Sequence, residues 1–203
     1  SSEAHGTGIS STIKTNTDKF YTDKLSGYAS KLDTNAGFCG DRSSLNRQSG
    51  VGTGTVITYN KGYLRVVESA PTLTCENTSD YYTVASASRG NKKLSYPIGL
   101  ISVDEVMLAG HAGGVFNGTC SHQKSNNLGY LISENVFWTM TPAGFYNPFG
   151  YTTTFAFVFT LSFTGRIVDR GSSAEIDFRP VINIRSDVTI TGSGTMTEPY
   201  VVN

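Results

Sequence analysis

The side chains able to do covalent or acid–base chemistry are few and scattered. Cys120 and His122 stand two apart in "NGTCSH". On an extended chain that spacing puts both on one face, and a thiol beside a histidine is the start of a nucleophile–base pair. A working pair also needs a group that orients the imidazole and a backbone that holds it. The surrounding "HAGGVFNGTCSHQKSNNLG" carries no acid and is rich in Gly, Asn and Ser, so it reads as a loop without such a pair. His111 with His122 has no third or fourth ligand nearby, and no metal site is expected. Asp104 and Glu105 are adjacent acids, but they follow Ser102 in a Ser-x-x-Glu pattern. A capping box with acids in the first turn accounts for them. No carboxylate pair suited to glycoside hydrolysis stands out from the 16 acids. The Gly-Thr-Gly run before Val56 lacks the Gly-Lys-Ser/Thr ending of a phosphate loop, and no helix is expected after it. The expectation is a non-enzymatic protein with no cofactor.

The elements that would position any site follow from composition and period. A chain of 203 residues makes one large domain or two small ones. Net charge is zero and only 16% of residues are charged, which argues against a nucleic-acid binder or a polybasic membrane-surface protein. No apolar run approaches the roughly 20 residues of a membrane helix, and "SSEAHGTG" has no basic-then-apolar leader. Cys39, Cys75 and Cys120 lack metal-ligand spacing. One disulfide and one thiol fits export; three reduced thiols fits the cytosol. Low charge and abundant Ser, Thr, Asn and Tyr favour export. The sequons at Asn77 and Asn117 are too short to carry weight.

Ile13, Phe20, Tyr21, Leu25, Tyr28 and Leu32 recur near every 3.6 residues and predict an amphipathic helix. Its start is expected at Thr15 to Thr17, with Asp18 facing the dipole, and its exit at Asn35 and Gly37 in a left-handed turn. A long polar region follows, with an edge strand at "TGTVITYN". "YPIGLI" reads as a short buried strand, then a helix from Ser102 to Gly110. The remainder is β: strands in "YLISENVFWTMTP", a hairpin "TTTFAFVFTLSFTGRIVDRG" turning at "TG", two strands in "IDFRPVINIRSDVTITG" and a last one in "TEPYVVN". The layout is α+β, with a tail at 1–10 and a single domain over 11–203.

In "TTTFAFVFTLSF" the bulky Phe155, Phe157, Phe159, Leu161 and Phe163 alternate with smaller residues, which predicts a core face. The preceding "TPAGFYNPFGYTTT" has no period and contains two Pro and two Gly. It reads as a surface loop bearing Phe145, Tyr146, Phe149 and Tyr151, large aromatics suited to anchoring a ligand or to folding back as a lid.

The phrases "AGFCGDRS", "TLTC", "YPIGLISVDEVMLAG", "YLISENVFWTMTP" and "FRPVINIRSDVTITGSGTMTEPYVVN" occur in this order. As a set, over roughly residues 10 to 203, the chain resembles exported pilin-like and surface proteins of Gram-positive bacteria. The "WTMTP…FRPVI" arrangement also resembles proteins of C-type-lectin-like fold, a group that includes formylglycine-generating enzymes and retroelement-diversified variable proteins. The resemblance implies a Cys39–Cys75 disulfide with Cys120 left over. It implies Trp138 in the core between sheet and helices, and Arg179 as a structural arginine near the sheet end. It adds Asn147, Arg166 and Asp169 to the ligand-facing surface. "TEPY" and "WTM" stand where calcium-dependent lectins carry their calcium motifs, so calcium-mediated sugar binding is not implied. The paired cysteines of the formylglycine-generating enzymes have no counterpart.

The expected protein is therefore an extracellular, cell-surface adhesin or pilin-type ectodomain. Its partner would be a host or bacterial surface protein or a glycan, or further copies of itself in a fibre, with an assembly helix ahead of Ser1. The rivals are a phage or retroelement-diversified receptor binder varying over 143–176, and a lectin-fold enzyme using Cys120.

Overall fold

The computed structural model describes residues 11–45, 58–113, 131–146, 155–195 and 197–203, with backbone only for Ala112, Gly113 and Tyr146. The expected first helix is present and begins earlier than the Thr/Asn cluster. Helix α1 (Thr12–Phe20) is capped by Ser11, whose side chain accepts from the Lys14 amide. It then widens into a π-type turn at Tyr21–Leu25 and tightens into 3-10 geometry at Ser26–Lys31. This irregular winding narrows the apolar face. Tyr21 and Leu32 are buried with Ile98, whereas Phe20 and Tyr28 are exposed. The exit is extended rather than left-handed, with Leu32 at φ −92°. The Asp33 carboxylate accepts from the Asn35 and Ala36 amides and turns the chain instead.

Strand β1 (Phe38–Cys39) follows, then β2 (Thr58–Tyr59), helix α2 (Lys61–Glu68), β3 (Tyr81–Tyr82), β4 (Gly99–Leu100), helix α3 (Val103–Leu108) and β5 (Ala112–Gly113). The C-terminal part holds β6 (Phe137–Tyr146), β7 (Phe155–Leu161), β8 (Arg166–Gly171), β9 (Asp177–Phe178), β10 (Pro180–Val181), β11 (Ile190–Thr191) and β12 (Val201–Val202). The main sheet runs β2-β6-β7-β8-β5, with β9 alongside β6. Pairing is antiparallel except for β5 with β8 and β6 with β9. The fold is thus mixed helix and sheet, as expected, and its main sheet is mainly antiparallel. A strand, β2, lies within the stretch where an edge strand was expected, and it ends the described strand order, but its outer side is not bare: Ser44 bridges Asn60 and the Leu45 amide donates to the Tyr59 carbonyl.

Helix α2 corrects the sequence reading, which gave this stretch to a polar loop. Its eight residues bury only Gly62 and Val66, too few to show a period. The hairpin β7–β8 turns as expected, with Gly165 at φ +77° closing it. α3 carries the expected capping box: the Ser102 hydroxyl accepts from the Glu105 amide, and the Glu105 carboxylate accepts from the Ser102 amide. Gly110, at φ +92°, ends it. β4 pairs with β10, which starts at Pro180, a strand's first residue being a position proline tolerates. The last strand returns to β11 rather than to the main sheet.

The core lies where α2 and α3 cover one face of the sheet. It joins Val66, Val103 and Val106 to Phe137, Ala143, Phe159, Leu161 and Ile167. Trp138 is buried as expected, but on the opposite face: its neighbour Phe137 enters the helix-covered core, and successive strand residues point to opposite sides. Arg179 is structural, as the resemblance implied. It donates to the Leu131 carbonyl at 2.9 Å and lies 4.7 Å over the Phe137 ring. The implied disulfide is formed: Cys39 and Cys75 are joined with Cα atoms 5.6 Å apart.

Candidate functional site: the aromatic end of the main sheet

Pro142 and Gly144 do not end β6. The strand runs on to Tyr146, and its register against β7 slips between Trp138 and Pro142 and again between Pro142 and Gly144. Proline and glycine sit at these bulges, where a missing donor and a missing side chain are tolerated. The expected surface loop is therefore strand as far as Tyr146. This overturns the role expected of Phe145: it pairs with Thr58 on one side and Ala156 on the other, and is 1% exposed. A ring so enclosed is packing, not a ligand anchor. Asn147, Phe149 and Tyr151 lie outside the described residues, and so do Cys120, His122 and Asn117.

The register assembles a different aromatic group. Tyr59 stands opposite Gly144, Gly144 opposite Phe157, and Phe157 opposite Gly171. One row across four strands therefore alternates aromatic and glycine. Phe157 packs against the helix-covered core, so the row lies on that face. One step outward, Phe155 is 46% exposed and pairs in register with Tyr146. One step inward, Asp169 pairs with Phe159 and shares the face. Helix α2 adds Tyr63, whose ring lies 4.6 Å from that of Tyr59 at 43°. Burial raises the Tyr63 phenol above the ordinary tyrosine value, and the Tyr59 and Asp169 oxygens push it further. Of the expected site residues, Asp169 and the backbone position of Tyr146 belong to this end. Arg166 does not: it alternates with Ile167, which is buried in the core, and so lies on the other face.

Two residues beyond Tyr63, a charge cluster fixes α2. Arg65 donates twice to Asp104, at 2.6 and 2.9 Å, and once to Asp41 at 2.6 Å. Asp104 also accepts from the Thr72 amide at 3.1 Å. Burial would lower the Arg65 pKa, but its bonds to the two carboxylates outweigh it and the net shift is upward. The cluster ties α2 to α3 and to the segment after Cys39. Asp104 and Glu105 are thus both engaged in structure, one by Arg65 and one by the cap. Sequence reasoning missed Arg65 because its partners lie 24 and 39 residues away.

His111 is buried and also structural. Its Nε2 accepts from the Leu131 amide at 3.3 Å, so the proton sits on Nδ1, which donates to the Gly165 carbonyl at 2.9 Å. Both ring nitrogens are used, leaving none for a metal. Among the described residues no group of three or more His, Cys, Asp or Glu side chains is placed to hold a metal ion. No described helix is long and apolar enough to cross a membrane.

The fold and this site define a disulfide-bearing mixed helix–sheet protein with an aromatic, acid-edged sheet end. No family model, no curated protein and no solved structure matches the chain.

Proposed function

We propose that this chain is an extracellular binding protein of the C-type-lectin-like α+β group, an adhesin or pilin-type ectodomain, that holds a surface protein or glycan at the aromatic end of its main sheet. The observation that carries the reading is the cross-strand row Tyr59–Gly144–Phe157–Gly171, flanked by Tyr63, Phe155 and Asp169. Rigid rings give large contact area at small entropic cost, whether to a sugar face or to a protein side chain. Asp169 would accept hydrogen bonds from hydroxyl or amide donors. The Cys39–Cys75 disulfide supports an oxidising, exported setting.

The test uses a printed array of neutral oligosaccharides and purified cell-surface proteins, probed with the labelled chain. Any hit is re-measured with Phe155→Ser and Tyr63→Ser. The reading expects each change to weaken binding about tenfold, about 1.4 kcal/mol. Binding unchanged in both variants would remove this end of the sheet as the site.

A further inference from the structure

In a chain of zero net charge, residues 81 to 103 hold no Asp or Glu, yet carry Arg89, Lys92 and Lys93 within five positions. The three side chains are exposed. Six described cations sit against carboxylates, Lys14, Lys19, Arg42, Lys61, Arg65 and Arg185, whereas Lys24, Lys31, Arg166, Arg170 and Arg179 form no ion pair among the described residues and are spread over the chain. Among the described residues, Arg89, Lys92 and Lys93 have none; Arg89 rests 5.2 Å over the Tyr81 ring.

The loop that displays them is built rigidly. Thr83, with no exposed surface, donates its hydroxyl to the Arg89 carbonyl at 2.9 Å and accepts from the Lys92 amide at 3.1 Å. The Asn91 amide donates to the Tyr81 carbonyl and the Leu94 amide to that of Thr83. The Asn91 side chain donates to the Ser79 carbonyl at 2.8 Å and accepts from the Lys93 amide at 3.1 Å. Gly90, at φ +85°, runs so close to Thr83 that a Cβ there would lie 2.5 Å from its side chain. Lys92 itself is held at φ +59°, a left-handed conformation rare for lysine. The backbone is committed to one shape, and its three cations are exposed, with no carboxylate partner among the described residues.

We infer that the 88–93 loop is a docking surface for an anionic polysaccharide, a chain bearing repeated carboxylate, phosphate or sulfate groups. The surface is separate from the aromatic end of the sheet. Each exposed charge pair is worth little alone, so a single small anion would not be held. A polymer engages several cations at once and releases its condensed counterions, which makes repeated charge the matching chemistry. The choice of polysaccharide over nucleic acid rests on the exported setting proposed above.

The test is retention of the whole chain on immobilised dextran sulfate and on neutral dextran at low ionic strength, followed by a salt gradient. The expected result is retention on the sulfated matrix alone. In the triple variant Arg89→Gln, Lys92→Asn, Lys93→Gln, the slope of log retention against log salt should fall in magnitude by roughly 2 to 3, nearly one for each cation removed. Removing the same charge at Lys19, Lys24 and Lys61 should leave the slope unchanged. Arg89→Gln and Lys93→Gln alone, at side chains with no hydrogen bond among the described residues, should each lower it by about one and keep the measurement decisive if the triple variant unfolds. Co-elution of the two triple variants, or no retention of the parent chain, would overturn the proposal. Tighter binding to duplex DNA than to dextran sulfate, lost in the same variants, would overturn the polysaccharide and leave the sheet-end reading untouched.

Discussion

Between Cys39 and Asp104 the chain is fastened by side chains reaching across long sequence distances. A disulfide spans 36 residues, Arg65 clasps Asp41 and Asp104, and Arg42 pairs with the buried Asp80. The described strands there are two residues long. Between Phe137 and Gly171 the described strands are fastened by a long antiparallel backbone ladder, bulged around Pro142, with an apolar core on one face. A region with little regular backbone pairing draws its order from crosslinks and ion pairs. A region with long strands draws it from burial. The two should therefore respond to different perturbations.

The largest effect is expected in the sheet. Phe159 has no exposed surface and sits among Val66, Val106 and Leu161. Phe159→Ala should cost about 3 to 5 kcal/mol in denaturant unfolding, from lost transfer energy and the cavity left behind. Phe163 lies four residues on in the same alternation but is 60% exposed, and Phe163→Ser should change stability by less than about 0.5 kcal/mol. Equal losses at both positions would show that the whole stripe is core after all.

That pair also marks how far the sequence could be read. Period two predicted all five bulky residues inward, and Phe159 and Leu161 are fully buried, with Phe157 partly so. Phe155 is exposed at the outer end of β7, and Phe163 lies past Leu161 in the turn before β8, where the strand has ended; where a strand ends is not written in its alternation. The Ser102–Glu105 cap and the Gly165 turn were legible because each is written within four residues. α2 was not, being short and dependent on contacts with α3 and β6. β6 was cut at Pro142 because proline usually ends a strand, and only the bulges permit it to continue. The candidate site was legible in part. Asp169 belongs to it, but Tyr59 and Tyr63 join it through a pairing and a helix that no local pattern announced.

The next effect belongs to the crosslinked region. Replacing Cys39 and Cys75 by Ser frees a loop whose closure restricts the unfolded chain by roughly 4 kcal/mol in the entropic account. The expected loss is about 2 to 4 kcal/mol, read as a lower denaturant midpoint. Hydrogen exchange should rise first at β1 and β3, while β7 and β8 stay protected until global unfolding. Simultaneous exchange in both regions would mean that the two form one cooperative unit and that their contrast is only one of bonding style.

The smallest effect tests the seam where α2 meets the aromatic end of the sheet. The Tyr63 phenol has a pKa raised by burial, with Tyr59 and Asp169 adding to it. A folded-state pKa above the unfolded value means the folded chain keeps its proton longer. The associated stability is complete below the ordinary tyrosine value of about 10 and is lost as pH rises through the folded value. Tyr63→Phe removes the ionisable group, so its stability should decline less steeply than the parent's above about pH 10. The difference is measured by parallel unfolding curves at rising pH, with tyrosinate absorbance recording one late-titrating phenol fewer. Identical alkaline limbs would mean that Tyr63 ionises as easily folded as unfolded, that α2 does not seal it against the sheet, and that the aromatic end is looser than the ring geometry with Tyr59 implies.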